Sequence, residues 1–148
     1  MAGTDARAMP QVEQLGSADA DAAIALWHAT GLTRPWNPPH EDFARAVASA
    51  GSAVLGIRDG DELVATAMVG HDGHRGWVYY LAVDPSQQRG GLGRALMRAA
   101  EEWVVAASGV KLQLMVRAEN TAAVEFYRAL GYDDQQVVVL GKRLLGPA

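Results

Sequence analysis

The run Gln88-Arg-Gly-Gly-Leu-Gly-Arg94 combines the residue types and spacing that carry the most chemistry in this chain. Glycines at 90, 91 and 93 have no Cβ, so a ligand can approach the main chain closely. A helix opening at Leu92 presents N–H groups without intrahelical partners and roughly half a unit of positive charge. With Arg89 and Arg94 beside them, those donors suit a pyrophosphate. A second group, His71, Asp72, His74 and Arg75, sits in a Gly-containing turn. Histidine titrates near neutrality and is a chemically apt proton acceptor. Three potential ligands, His71, Asp72 and His74, within four residues of a tight turn rarely all converge on zinc, so no metal is expected. Tyr79 and Tyr80 follow on a strand whose period of two sends them to opposite faces, one of them toward a cleft. Asn120 and Tyr127 are seven residues apart, two helical turns, and share one helix face. There is no cysteine, which excludes a disulfide framework, Cys-ligated zinc and a thiol nucleophile.

The elements that must position these residues follow from periodicity and punctuation. Gln11–Leu15 reads as a short strand, and Ser17 can cap a helix over Asp19–Thr30 with Ala23, Leu26 and Trp27 at helical spacing. Leu32–His40, with Pro35, Pro38 and Pro39, is expected to be an irregular loop, followed by a helix over Glu41–Ala50. Strands are expected over Ser52–Arg58, Glu62–Gly70 and Trp77–Val83, joined by the turns at Asp59-Gly60-Asp61 and Asp72–Gly76. A helix over Leu92–Ala107 follows, then a strand over Lys111–Arg117, whose alternation leaves one polar face. A helix over Thr121–Leu130 and an edge or closing strand over Gln135–Lys142 complete the chain.

At 148 residues this is the size of one domain, expected over 9–146, with residues 1–8 a disordered leader. The hydrophobic share of 49% is that of a globular chain rather than a disordered one. A net charge of −4 argues against a nucleic-acid surface, which calls for a basic stripe. No apolar run approaches bilayer length and no secretory apolar region is visible near the N-terminus. A cytoplasmic protein with no nucleic-acid and no membrane partner is therefore expected. Two other phosphate motifs do not fit. Leu96 stands where a dinucleotide fingerprint needs a small residue, and the only Gly-Lys pair, Gly141-Lys142, is followed by Arg143 rather than Ser or Thr.

Gln88-Arg-Gly-Gly-Leu-Gly93 resembles the Gln/Arg-x-x-Gly-x-Gly loop of the GNAT N-acetyltransferases. Asn120-Thr-Ala-Ala-Val-Glu-Phe-Tyr127-Arg-Ala-Leu-Gly131-Tyr132 resembles that family's Asn-x-x-Ala-x-x-x-Tyr-x-x-x-Gly-Phe/Tyr segment, one strand further on. The resemblance extends over about Val12–Leu144. Leu32-Thr-Arg-Pro-Trp-Asn37, Asp72-Gly-His-Arg-Gly76, Tyr79-Tyr80-Leu81 and Leu140-Gly-Lys-Arg-Leu144 are similar to its small bacterial YpeA-type branch.

The resemblance implies an α+β, α/β/α-layered GNAT fold. Its central sheet is mixed and mostly antiparallel, has about six or seven strands splayed at the CoA site, and is accompanied by about four helices. It implies acetyl-CoA as co-substrate, its pyrophosphate held by Gln88, Arg89, Gly90, Gly91, Leu92, Gly93 and Arg94. The pantetheine arm would pair with the backbone of Leu81, Ala82 and Val83, and a backbone N–H near Leu81 would stabilise the oxyanion, an effect worth roughly 3 kcal/mol. Asn120 is expected to bond the pantetheine amide, or simply to cap its helix. Tyr127 matches the residue that protonates the departing CoA thiolate, a role a phenol near pKa 10 can fill.

The proton acceptor for the amine is where the pattern thins. Many relatives carry a Glu on the strand that here reads Trp77–Val83, and this strand has no carboxylate before Asp84. The candidates are Tyr80 or Tyr79, a water chain, or His71, Asp72 or His74. On the acceptor side, Trp36 offers an aromatic wall beside Arg34 and Asn37, and Arg75 could meet a carboxylate, with Asp72 and Tyr79 nearby. Trp36 can equally be a packing anchor. Few residues follow Tyr132, so the acceptor pocket is expected to be more open or completed by a second subunit in a homodimer. The expected activity is transfer of acetyl from acetyl-CoA to a primary amine of a small molecule or peptide. A catalytically weak or inactive acyl-CoA-binding module is the competing expectation.

Overall fold

The computed structural model describes residues 10–146. The leader expected over residues 1–8 lies outside them. The described chain divides into two compact units, one running through Leu114 and one starting at Met115.

The first unit is built on a five-stranded sheet in the order β1-β2-β3-β4-β5. Its strands are β1 (Val12–Gln14), β2 (Ser52–Asp59), β3 (Glu62–His71), β4 (Gly76–Val83) and β5 (Leu112–Leu114). The first four are antiparallel, and β5 lies parallel to β4 after the crossover helix α3 (Leu92–Ala106). Helices α1 (Ala20–Ala29) and α2 (Pro39–Ala48) lie between β1 and β2 in sequence. Five consecutive residues are buried in each of β2 and β3, as expected of strands covered on both faces. Trp27, Phe43, Leu26, Val54 and Ala82 belong to the core under α1 and α2, with Tyr80 and Met68 packed against it. Leu96, Met97, Ala100 and Val104 form the buried stripe of α3.

The local punctuation differs from expectation in instructive places. Ser17 does not cap α1. Gly16 opens a short 3-10 turn over Ser17–Asp19, and its N–H donates to the Asp19 carboxylate at 3.0 Å. The proline-rich stretch is shorter than expected because Pro39 starts α2, where a missing N–H costs nothing. A tight Arg34-to-Asn37 turn precedes it, closed by Asn37 N–H donating to the Arg34 carbonyl at 3.0 Å.

In the second unit, α4 (Thr121–Ala129) is capped by Asn120, whose side chain accepts from the Ala123 N–H at 3.2 Å. The closing strand expected over Gln135–Lys142 is absent, so the sheet has five strands rather than six or seven. The reason is local. Gln136 has φ +55 and donates its N–H to Asp134 Oδ1 at 2.7 Å, which turns the chain where the strand was to begin. Val137 to Leu140 favour strands by type, but all four are exposed, and propensity without a packing partner does not make a ladder.

Candidate active site

The site is built around an irregularity in β4. Met68 pairs with Tyr79 and Thr66 with Ala82, so Tyr80 and Leu81 together oppose Ala67. This is a β-bulge, and Tyr80 adopts φ +54 to make it, a conformation that is uncommon for an aromatic residue. The bulge changes the face pattern. Tyr79 stands opposite Met68 and so shares its face, while Tyr80 stacks on Trp27 of the same core, ring centroids 3.9 Å apart and 11° from parallel. The expectation that the two tyrosines face opposite ways therefore fails, because the extra residue breaks the alternation.

Three hydrogen bonds hold the bulge. The Trp27 indole N–H donates to Thr66 Oγ1 at 2.9 Å, and the Thr66 hydroxyl donates to the Tyr80 carbonyl at 3.1 Å. The Tyr80 hydroxyl donates to Asp42 Oδ2 at 2.7 Å. Burial first, and then the Asp42 carboxylate, push the Tyr80 phenol far above its usual range. Tyr80 is thus anchored as a donor to Asp42.

The Tyr80–Leu81 peptide has a direction as well as a position. Its carbonyl points at Thr66 on β3, so the Leu81 N–H, trans across the same planar unit, points away from β3. That is the edge where β5 pairs only with Gly76, Trp77 and Val78. From Tyr79 to Val83 this edge has no strand partner among the described residues of the unit.

Beyond Val83 the chain enters a compact turn. Asp84 accepts from the Ser86 N–H at 2.9 Å and the Ser86 hydroxyl at 2.8 Å, and these bonds hold its carboxyl below the usual range. Gln88 donates from its side chain to the Val83 carbonyl at 3.3 Å, and Gln87 to Asp59 at 3.0 Å, tying the turn to the sheet. Arg89 has φ +79 and Gly91 φ +80. Gly91 is the N-cap of α3, and no side chain caps the first helical N–H groups. Gln88 to Gly91 and Arg94 are exposed and Leu92 and Gly93 half-buried, on one end of the same strand that carries the bulge.

The hairpin residues stand at the other end of β4. Gly76 and Leu81 are five residues apart, roughly 16 Å at strand rise, and His71 to Arg75 precede Gly76. Asp72 is consumed by the turn. Its Oδ1 accepts from the His74 and Arg75 N–H groups, both at 2.8 Å, and its Oδ2 from the Trp77 indole at 3.2 Å. The two backbone donors, Arg75 first, hold its carboxyl at about 2. Arg75 donates to the His74 carbonyl at 3.1 Å. The His71 ring lies against Gly109, where a methyl group would meet it at 2.9 Å. Tyr79 has its phenol raised by burial first and then by the Asp72 charge. The residues expected as proton acceptor or substrate contacts, His71, Asp72, His74 and Arg75, thus stand together in the hairpin before Gly76.

In the proline-containing loop, Arg34 Nη1 donates to the Gly31 and Thr33 carbonyls, both at 2.9 Å, and Trp36 is about half exposed. In the second unit, Tyr127 packs edge-on against Phe126 and Tyr132 at 5.0 and 6.0 Å, and burial raises its phenol to about 12. The sequence reading missed Asp42, Trp27 and Thr66. Asp42 reads as an ordinary first-turn acid, and the other two as core residues of a helix and a strand.

The Acetyltransferase (GNAT) family pattern matches residues 20–132, from the first helix through both motifs. The chain belongs to the GNAT acetyltransferase family. An acetyltransferase of Pectobacterium atrosepticum is 38% identical over 127 residues, which is 86% of this chain and 90% of that one. Among solved structures, the ribosomal-protein-S18-alanine N-acetyltransferase of Escherichia coli superposes with TM-score 0.75 at 26% identity. That match covers 86% of this chain and 80% of the other. AAC(6')-Iy, solved with the bisubstrate analogue CoA-S-monomethyl-acetylneamine, shares the fold at TM-score 0.80 and 14% identity. It is matched over 93% of this chain and its own full length. The GNAT chain is an acyltransferase with the α+β fold of N-acetyltransferases, and its family uses acetyl-CoA. No helix among the described residues is long and apolar enough to cross a membrane.

Proposed function

We propose that this GNAT enzyme transfers the acetyl group of acetyl-CoA to a primary amine, on a small molecule or a peptide, by direct attack in a ternary complex. The observation that carries this reading is the Tyr80–Leu81 peptide, whose N–H is turned to an edge with no strand partner among the described residues of its unit, one turn ahead of a glycine-rich helix start. Gln88 to Arg94 receive the pyrophosphate, and Leu81, Ala82 and Val83 pair with the pantetheine arm. The Leu81 N–H meets the thioester oxygen, where charge develops as the amine adds. A C–N bond forms, the C–S bond breaks, and Tyr127 gives its proton to the leaving thiolate while the amine loses one to water. Tyr127, raised by burial to about 12, is protonated at neutral pH, the form a general acid needs. Asn120 bonds the pantetheine amide, and Arg34, Trp36 and Asn37 face the acceptor.

The amine class is supported by the similar proteins, one named for a protein alanine and one solved with an acetylneamine analogue. The test incubates purified protein and acetyl-CoA with polyamines, aminoglycosides and alanine-terminated peptides, following free CoA thiol. Turnover above background with any acceptor supports the reading and rejects a pure binding module. No turnover with any amine, together with no acetyl-CoA binding by calorimetry, overturns it. Tyr127→Phe is expected to lower kcat about a hundredfold with acetyl-CoA affinity kept within threefold.

A further inference from the structure

Resting on the reading that the Leu81 N–H receives the thioester oxygen, we propose that Thr66 is a positioning residue for the acyl transfer, its buried hydroxyl setting the direction of that N–H. Thr66 is the one fully buried polar residue among the described ones, in a strand whose buried neighbours are Val64, Ala65 and Ala67. A hydroxyl in such a place is costly unless bonded, and this one is bonded twice. It accepts from the Trp27 indole at 2.9 Å and donates to the Tyr80 carbonyl at 3.1 Å. The indole, itself fully buried, fixes which way the hydroxyl proton points, because its own N–H fills the acceptor side.

The bond to Tyr80 acts on a strained residue. At φ +54 an aromatic residue sits outside its preferred basins and persists only where the surroundings hold it. The stack on Trp27 and the bond to Asp42 hold the ring, and Thr66 holds the carbonyl. Because the peptide is planar and trans, holding the carbonyl is the same as aiming the Leu81 N–H. Thr66 never touches the acetyl group. It acts through one peptide unit.

The test is isotope-edited infrared spectroscopy of acetyl-CoA carrying 13C at the acetyl carbonyl, bound to the full chain and needing no acceptor. In the wild type the thioester carbonyl band is expected to move to lower frequency than in free acetyl-CoA. Thr66→Val is expected to lose most of that shift while binding acetyl-CoA within threefold, and Thr66→Ser to restore it. A folded Thr66→Val with the wild-type shift overturns the proposal. Should the valine variant not fold, Thr66→Cys serves, since a thiol is a weaker donor. A reduced shift supports the role and an unchanged one overturns it. A wild type that binds acetyl-CoA with the carbonyl at its free frequency overturns the role of Thr66 while leaving the co-substrate site standing. A wild type that does not bind acetyl-CoA overturns the proposed function itself.

Discussion

The two ends of β4 are equally rich in polar residues, yet they are organised in opposite ways. At the Gly76 end, Asp72 collects three donors, Arg75 folds onto the His74 carbonyl and His71 lies against Gly109. Polar groups there satisfy one another, and the product is a tight hairpin. At the Val83 end the side chains are used to deform and hold the main chain, so that backbone donors are left over. Thr66, Trp27 and Asp42 serve Tyr80, while Asp84 and Gln88 serve the turn. Asp72 and Arg75, whose side chains look reactive in the sequence, are bonded within the turn at one end. Main-chain chemistry that has no letter in the sequence is available at the other.

The harshest way to test that contrast is at the glycine turn. Gly91→Glu places a side chain at φ +80, where L-residues are strained, and a negative charge at the helix start proposed to receive the pyrophosphate. Acetyl-CoA affinity by calorimetry is expected to fall at least a hundredfold. Affinity within threefold of wild type would remove the turn as the pyrophosphate site. His74→Ala, at the other end, is expected to leave both affinity and turnover within twofold, and a loss of tenfold or more in turnover would give the hairpin a part in catalysis.

Tyr80→Phe probes the bulge more gently. It keeps the stack on Trp27 and removes only the bond to Asp42. Such a bond to a carboxylate contributes about 1.5–3 kcal/mol when buried. With Asp42 partly exposed and also bonded to Arg45, about 1 kcal/mol is the better expectation, a drop of about 3 °C in Tm. A circular-dichroism melt reads this directly. No change in Tm would mean that the ring is held by stacking alone.

What was legible in the sequence follows from how local its causes are. Helices, the two hairpins and the glycine turn come from periodicity and from residues with special backbone freedom, so their positions hold to within about two residues. The GNAT family was legible because its phosphate loop and its Asn120–Tyr132 segment are contiguous strings. The bulge was not legible. Nothing in Tyr79-Tyr80-Leu81 announces φ +54, which depends on Trp27, Asp42 and Thr66 arriving from three other elements. The missing closing strand fails for the opposite reason. Val137–Val139 have strand propensity, but a strand is a property of a pair.

The smallest effect concerns the hairpin carboxylate, and it has a definite sign. Asp72 is held at about 2 in the folded protein, below its ordinary value of 3.8, chiefly by the Arg75 and His74 N–H groups. A depressed carboxylate adds stability that is fully present above its unfolded pKa and is lost as pH falls through the folded one. The contribution should therefore hold above about pH 5 and disappear between about pH 4 and pH 2. Asp72→Asn keeps an oxygen for the two N–H groups but cannot titrate. The Tm of wild type should exceed that of Asp72→Asn by a constant margin at neutral pH, and the margin should close on acidification across that window. Other acids titrate in both proteins and cancel in the difference. A margin independent of pH would show that the charge of Asp72 contributes nothing to the turn, leaving its shape alone to hold the hairpin end of β4.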